Sequence, residues 1–303
     1  MKYNKNEIEP KKRFGQNFLI DSSVISKIIL AIPNNQIDIV EIGPGLGDLT
    51  QELIKARRVI AYEVDERLCE YLKVEFKDKI ASNQLELKCG DVLEYWKNGS
   101  LSSSSYYLVA NLPYYIATNI ILKALEDRNC KGLLCMVQKE VAIKFSSDSG
   151  DREFGSLSII AQSCGDAEVV FDIPPEAFNP APKVTSSILK IEKSSSFLRD
   201  GFEEFLKVAF SQPRKKLLKN LSSSYKKESL DRVFKKLSLD KSLRPHQVET
   251  RSYHLIYKEL KEYKDGETTA RFEKKGKSDR KRDSISEKET PKSIQSKQKP
   301  EPK

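Results

Sequence analysis

The sequence predicts an α/β sheet with crossover helices, then a smaller helical domain and a disordered basic tail. Three observations carry this reading. Between residues 36 and 191, short β-branched or apolar runs alternate with helical patterns. Between 200 and 263, apolar residues recur at spacings of three and four. Beyond Thr268 they almost vanish. The expected units are 1–195, 196–265 and 266–303.

Taken in order, the strand candidates are DIVEI (38–42), RVIAYEV (58–64), LELK (85–88), YYLVA (106–110) and LLCMV (133–137). Strands of a parallel sheet are buried on both faces, so they read as continuous apolar runs. EVVFDI (168–173) and SSILKIE (186–192) add further strands, and NGSLSSSS (98–105) and SSDSGDREFG (146–155) read as loops. In the next unit Phe202, Phe205, Leu206, Ala209 and Phe210 mark one helix, and Leu230, Val233, Phe234 and Leu237 another. Pro213 and Pro245 punctuate the segment. The last stretch holds little apolar matter beyond Phe272, Ile285 and Ile294, too little to offset the entropy of ordering it.

Composition narrows the function classes. The chain has 303 residues, 38% of them hydrophobic and 32% charged. No apolar run approaches the ~20 residues of a membrane span, so a role without a membrane, in the cytoplasm, is expected. Five cysteines form no CxxC pair, which fits reduced thiols and suggests neither a disulfide framework nor a zinc site. The net charge of +9 is unevenly placed: residues 200–263 hold 15 basic against 9 acidic residues, and 1–199 hold 25 against 27. A near-neutral front and a basic back suit a catalytic unit followed by one that binds a polyanion.

Chemistry concentrates at the strand ends. EIGPGLGDLT (41–50) places Gly43, Gly45 and Gly47 between the first strand and the next helix, where the backbone can approach a ligand. Glu63 follows Gly43 by 20 residues at the end of the second strand, positioned to accept from a ribose diol. A bare turn or a dinucleotide site would share these features. The GxGxG spacing and the preceding Glu41 suit a nucleoside without a pyrophosphate. Asp91, after the third strand, is able to accept from an adenine amine, although a lone Asp there also serves as a turn former.

The fourth strand ends in Asn111, Leu112, Pro113 and Tyr114. An adenine amino nitrogen is a poor nucleophile because its lone pair is delocalised into the ring. An amide oxygen and a backbone carbonyl that both accept from the NH₂ favour the pyramidal, reactive form. Proline fixes the backbone that presents the carbonyl. Tyr114 offers a π-face, with stacking worth roughly 1–3 kcal/mol.

The segments KKRFGQNFL (11–19), EIGPGLG (41–47), YEVD (62–65), GD (90–91), NLPYYIAT (111–118), QKEVA (138–142) and PPEAFNPAPKVTSSI (174–188) occur in the order found in ribosomal RNA adenine dimethyltransferases, which the chain resembles through about residue 260. It most resembles their bacterial small-subunit branch. The resemblance implies a Rossmann-like class I methyltransferase fold with a smaller C-terminal helical domain, and S-adenosylmethionine as methyl donor. It also implies dimethylation at N6 of two adjacent adenosines in a hairpin near the 3′ end of small-subunit (16S) rRNA. Asn17 and Leu19 would close over the donor, Gly43 would contact its methionine part, Glu63 its ribose and Asp91 its adenine, with Gly45 also in the donor site. Asn111 would lie between donor and target amine, and Phe178 would stack on the target base opposite Tyr114. RNA would be gripped by Lys207, Arg214, Lys215, Lys216 and Lys219, with the small ribosomal subunit as partner and the enzyme acting as a monomer, without a metal. Lys144 and Pro213 stand where relatives commonly have Arg. A large-subunit methyltransferase, a non-catalytic assembly factor and an NAD-dependent dehydrogenase are the competing readings.

Overall fold

The computed structural model describes residues 8–97, 99–197 and 200–261. The expected tail, 266–303, lies outside them.

Seven strands form one sheet: β2 (Asp38–Ile42), β3 (Val59–Glu63), β4 (Leu85–Cys89), β5 (Tyr106–Asn111), β6 (Cys130–Gln138), β7 (Gly165–Ile173) and β9 (Ser186–Lys193). Their order is β4-β3-β2-β5-β6-β9-β7. The first five run parallel, and β9 and β7 add antiparallel. Both late runs are therefore strands, as expected. A two-stranded ribbon pairs β1 (Phe18–Leu19) with β8 (Phe178–Asn179), setting Leu19 opposite Phe178. Neither short strand was anticipated. Two residues are too few to show a period of two, and the partners lie far apart in the chain.

Alternate residues of the central strands enter two separate apolar cores. Ile39, Val59, Ala61, Tyr107, Val109 and Leu134 face one, shared with helices α1 (Ser22–Ala31), α2 (Asp48–Ala56) and α3 (Glu66–Glu75). Val40, Ile60, Leu108, Ala110 and Cys135 face the other, shared with α6 (Ala117–Glu126), α7 (Lys139–Ser146) and α8 (Ser156–Cys164). That double burial explains the continuous apolar strand runs, since each such side chain removed from water contributes about 1.5–3 kcal/mol. The second core runs on without a break into α9 (Phe202–Ala209), α10 (Leu217–Leu221), α11 (Lys227–Lys236) and the helix at 250–261, through Phe205, Leu206, Leu217, Val233, Tyr253 and Ile256. His254 packs there, stacked on Phe202 at 4.4 Å and bonded to Ser163 Oγ.

The cysteine expectation needs correction. The β3–α3–β4 crossover brings Cys69 and Cys89 together, and they form a disulfide with Cα atoms 6.0 Å apart. Cys130, Cys135 and Cys164 are free and buried, and burial pushes the thiols of Cys130 and Cys164 up to about 11. Among the described residues, no helix is long and apolar enough to cross a membrane.

Candidate active site

The strand order sets four motifs side by side. The carboxyl ends of β4, β3, β2 and β5 are neighbours, and they carry in turn Asp91, Glu63, the glycine turn and Asn111. Together they line a cavity of about 480 Å³, whose wall also includes Phe14, Asn17, Leu112, Pro113, Tyr114 and Tyr115. That volume lies within the range of small-molecule sites.

At the turn, Gly45 adopts φ +62°, and a Cβ there would come within 3.1 Å of the Phe18 ring, so any side chain would be strained and press on that ring. The N–H of Gly45 donates to Glu63 Oε2 at 3.2 Å, and that of Asp65 to Oε1 at 2.9 Å. Glu63 is 4% exposed. Burial raises its carboxyl to about 7 in spite of these donors. Beneath the turn, Glu41 is buried and accepts from Thr50 Oγ1 at 2.7 Å. Burial, with Glu63 nearby, pushes it up to about 8. Asp91 is exposed and caps α5 (Val92–Trp96), accepting from the Leu93 N–H at 2.9 Å. The turn-forming role and a place on the cavity wall therefore coexist in one residue.

On β5, Asn111 Nδ2 donates to the Asn17 carbonyl at 2.9 Å. That bond fixes the amide's orientation and leaves Oδ1 as the acceptor. Leu112 is buried, and its N–H donates to Met136. The Tyr114 hydroxyl is hydrogen-bonded to Ser186 Oγ at 2.7 Å, and Ser186 is fully buried. Burial raises the Tyr114 phenol, so it stays neutral.

The N-terminal segment crosses this cavity as a strap. A single 3₁₀ turn at Lys12–Phe14 leads into Asn17 and β1. Sequence reasoning did not identify what holds it. Asp65, 1% exposed on its side chain, accepts from Gln16 Nε2 at 3.2 Å, pairs with Lys11 Nζ at 3.3 Å and pairs with Arg67 at 2.8 Å. Burial alone would raise this carboxyl, but the bonds from Arg67, Gln16 and Lys11 hold it well below the usual range. Gln16 and Asp65 lie in KKRFGQNFL and YEVD, and a pairing across 49 residues has no local signature.

Leu19 and Phe178 are buried and face each other across the ribbon. Leu19 borders a smaller cavity of about 40 Å³ beside Gly43 and Asn111, and Phe178 lines neither cavity. Lys207 lies exposed on α9 and Lys219 on α10. Arg214, Lys215 and Lys216 are exposed in the turn between those helices, just past Pro213. Proline lacks the N–H that a continuing helix needs.

Comparison with known proteins agrees with this geometry. The ribosomal RNA adenine dimethylase family profile matches residues 8–263. Ribosomal RNA small subunit methyltransferase A of Sulfurimonas denitrificans is 57% identical over 252 residues, 83% of this chain and 94% of its own length. The same-named protein of Campylobacter concisus is 48% identical over 84% of this chain and 95% of its own. Among solved structures, a dimethyladenosine transferase from Plasmodium falciparum superposes with a TM-score of 0.67 at 27% identity, over 80% of this chain and 97% of that one. The 23S rRNA methyltransferase ErmE shares the fold at a TM-score of 0.63 and 22% identity, over 81% of this chain and 100% of that one. A family match spanning nearly every described residue, supported by relatives of this identity, is decisive: the chain belongs to the ribosomal RNA adenine dimethylase family.

Proposed function

We propose that this protein transfers methyl groups from S-adenosylmethionine to N6 of adenosines in small-subunit rRNA. The product is a pair of adjacent N6,N6-dimethyladenosines in the 3′-terminal hairpin of 16S rRNA, made during subunit biogenesis in the bacterial cytoplasm, by a monomer. The observation that carries this reading is the row Asp91, Glu63, glycine turn, Asn111 along neighbouring strand ends, in a chain whose relatives are named for the small subunit.

The residues suit the donor. Glu63 is buried and aimed into the cavity, Gly43 leaves the space above its Cα open except for the Asn111 carbonyl at 3.9 Å, and Asp91 stands at the far end. S-adenosylmethionine, when bound, supplies an activated methyl on a sulfonium. The protein supplies position and electrostatics. Glu63 accepts from the ribose hydroxyls, Asp91 from the adenine amine, and the glycine turn admits the methionine part. Asn17 and Leu19 form the cover.

Asn111 Oδ1 and the Leu112 carbonyl, set by the fixed φ of Pro113, accept from the target amine and localise its lone pair. Tyr114, held by Ser186, stacks on the target base and offsets the few kcal/mol that extrusion of the base costs. Once alkylated, the nitrogen loses its proton to solvent, so no strong base is needed. Phe178 is buried and stands outside the cavity wall, so the stack rests on Tyr114, and Phe178 braces the ribbon that carries Leu19 of the donor cover. Residues 200–261 grip the RNA backbone, with Lys207, Arg214, Lys215, Lys216 and Lys219 on phosphates.

The test is label transfer to under-methylated small subunits. Wild-type protein should label the hairpin adenosines, and Asn111→Ala should bind donor yet transfer nothing. Normal transfer by that variant would defeat the assignment.

A further inference from the structure

Resting on that reading of the substrate, we propose that Tyr115 is a second stacking platform, which receives the nucleobase flanking the adenine under attack. Among the described residues, Tyr115 is the one phenylalanine, tyrosine or tryptophan left exposed, at 64%. It is not loose. Its ring edge lies against the strap, with Cδ1 3.3 Å and Cε1 3.5 Å from where a Cβ on Gly15 would stand. Gly15 in turn is fixed by its N–H to the Lys12 carbonyl at 3.0 Å. A side chain at Gly15, already at φ +60°, would press on the ring.

Tyr115 thus borders the same cavity as Tyr114, one residue further along the same turn, with its remaining surface open. Consecutive rings at the mouth match consecutive nucleotides. Drawing one base into the cavity uncovers a face of its neighbour, and an aromatic ring placed there covers it again. Such stacking is sequence-tolerant, because every base presents a π-face. Charge completes the match. Lys12 and Arg13 are exposed on the strap beside Phe14, with the Arg13 guanidinium 4.6 Å from that ring, near where the flanking phosphate would pass. The strap then has two duties: its inner side covers the donor, and its outer side braces the ring that meets the RNA.

The test uses full-length protein, under-methylated small subunits and labelled donor, comparing Tyr115→Ala and Tyr115→Phe with wild type. Tyr115→Ala should raise KM for the subunit roughly five- to 150-fold, the ratio equivalent to the loss of one stacked base, with kcat less affected. Donor affinity, measured separately by calorimetry, should stay at the wild-type level. Tyr115→Phe should retain the wild-type KM, since the ring and not the hydroxyl does the stacking. A wild-type KM in Tyr115→Ala would overturn the proposal and leave the methyltransferase reading intact. Equal loss in Tyr115→Phe, or loss of donor binding, would likewise overturn it. If wild-type protein transfers no methyl at all, the reading of the substrate fails and the proposal falls with it.

Discussion

Replacing Asp65 by Asn should release the strap without unfolding the protein. Asp65 begins α3 as its N-cap, accepting from the Arg67 N–H at 3.2 Å, and Asn is as good a cap as Asp. What the change removes is the charge, and with it the pairs to Lys11 and Arg67 and the charge-assisted bond from Gln16. Arg67 lies on α3 with Asp65, so the Lys11 and Gln16 contacts are the ones that hold the strap. The Lys11 side chain is 31% exposed, so its pair contributes about 0.5–1 kcal/mol. The Gln16 bond to a buried carboxylate contributes about 1.5–2 kcal/mol. Together, about 2–3 kcal/mol favours the closed strap, so its open population should rise about 30- to 150-fold. Trypsin reads this directly, because Lys12 and Arg13 lie on the strap. Under conditions where cleavage follows the open population, the rate of cutting there should rise by the same factor. The global unfolding midpoint should barely move, and donor affinity should fall. Asp65 is held below the usual carboxylate range, so in wild type the anchor persists above the ordinary titration range and is lost only as pH drops well below it. Unchanged cleavage in the variant would refute the reasoning, as would a gain in cleavage matched by a collapse in global stability.

Three further outcomes are expected. Burial raises Glu63 to about 7, so its carboxylate is depleted as pH falls through that value. Donor affinity should weaken by up to about tenfold per pH unit below it, and Glu63→Gln should bind weakly with that dependence gone; calorimetry across pH 6 to 8 checks both. Ser186→Ala removes the bond that holds the Tyr114 hydroxyl, worth about 1 kcal/mol, so kcat should fall about fivefold with donor binding intact. Tyr114→Phe should cost the same, and the double variant no more. Lys215→Glu with Lys216→Glu should weaken RNA binding and flatten the slope of log K against log salt by about 1.4–1.8, as for two lost phosphate contacts. An unaltered slope would remove the turn from the RNA interface.

Much of the fold was legible because a strand buried on both faces must be apolar throughout. DIVEI, LELK and YYLVA could be read as such, and their ends fell within a residue of the observed ones. The site residues were legible because each lies at the end of such a strand. Glu63 follows the glycine turn at a crossover's length, and parallel pairing then sets it beside that turn. Long-range pairings were not legible. Phe18 and Leu19 meet Asn179 and Phe178 through a two-residue ribbon, Gln16 meets Asp65, and Tyr114 meets Ser186, each between segments whose patterns say nothing of one another. The Cys69–Cys89 pair was missed for the same reason, since only the β3–α3–β4 crossover brings its halves together. Nor could helical spacing on either side of Pro213 show that the basic residues after it sit in a turn.

If one cavity at the strand ends holds both a methyl donor and an adenosine of the small-subunit 3′ hairpin, that hairpin must lose its modification when the chain is absent. Mass analysis of nucleosides from the hairpin, in cells lacking this chain, decides the matter. Both adjacent adenosines should be unmethylated, and dimethylation should return with the wild-type chain but not with Asn111→Ala. Fully dimethylated adenosines in the cells without the chain would contradict that reading.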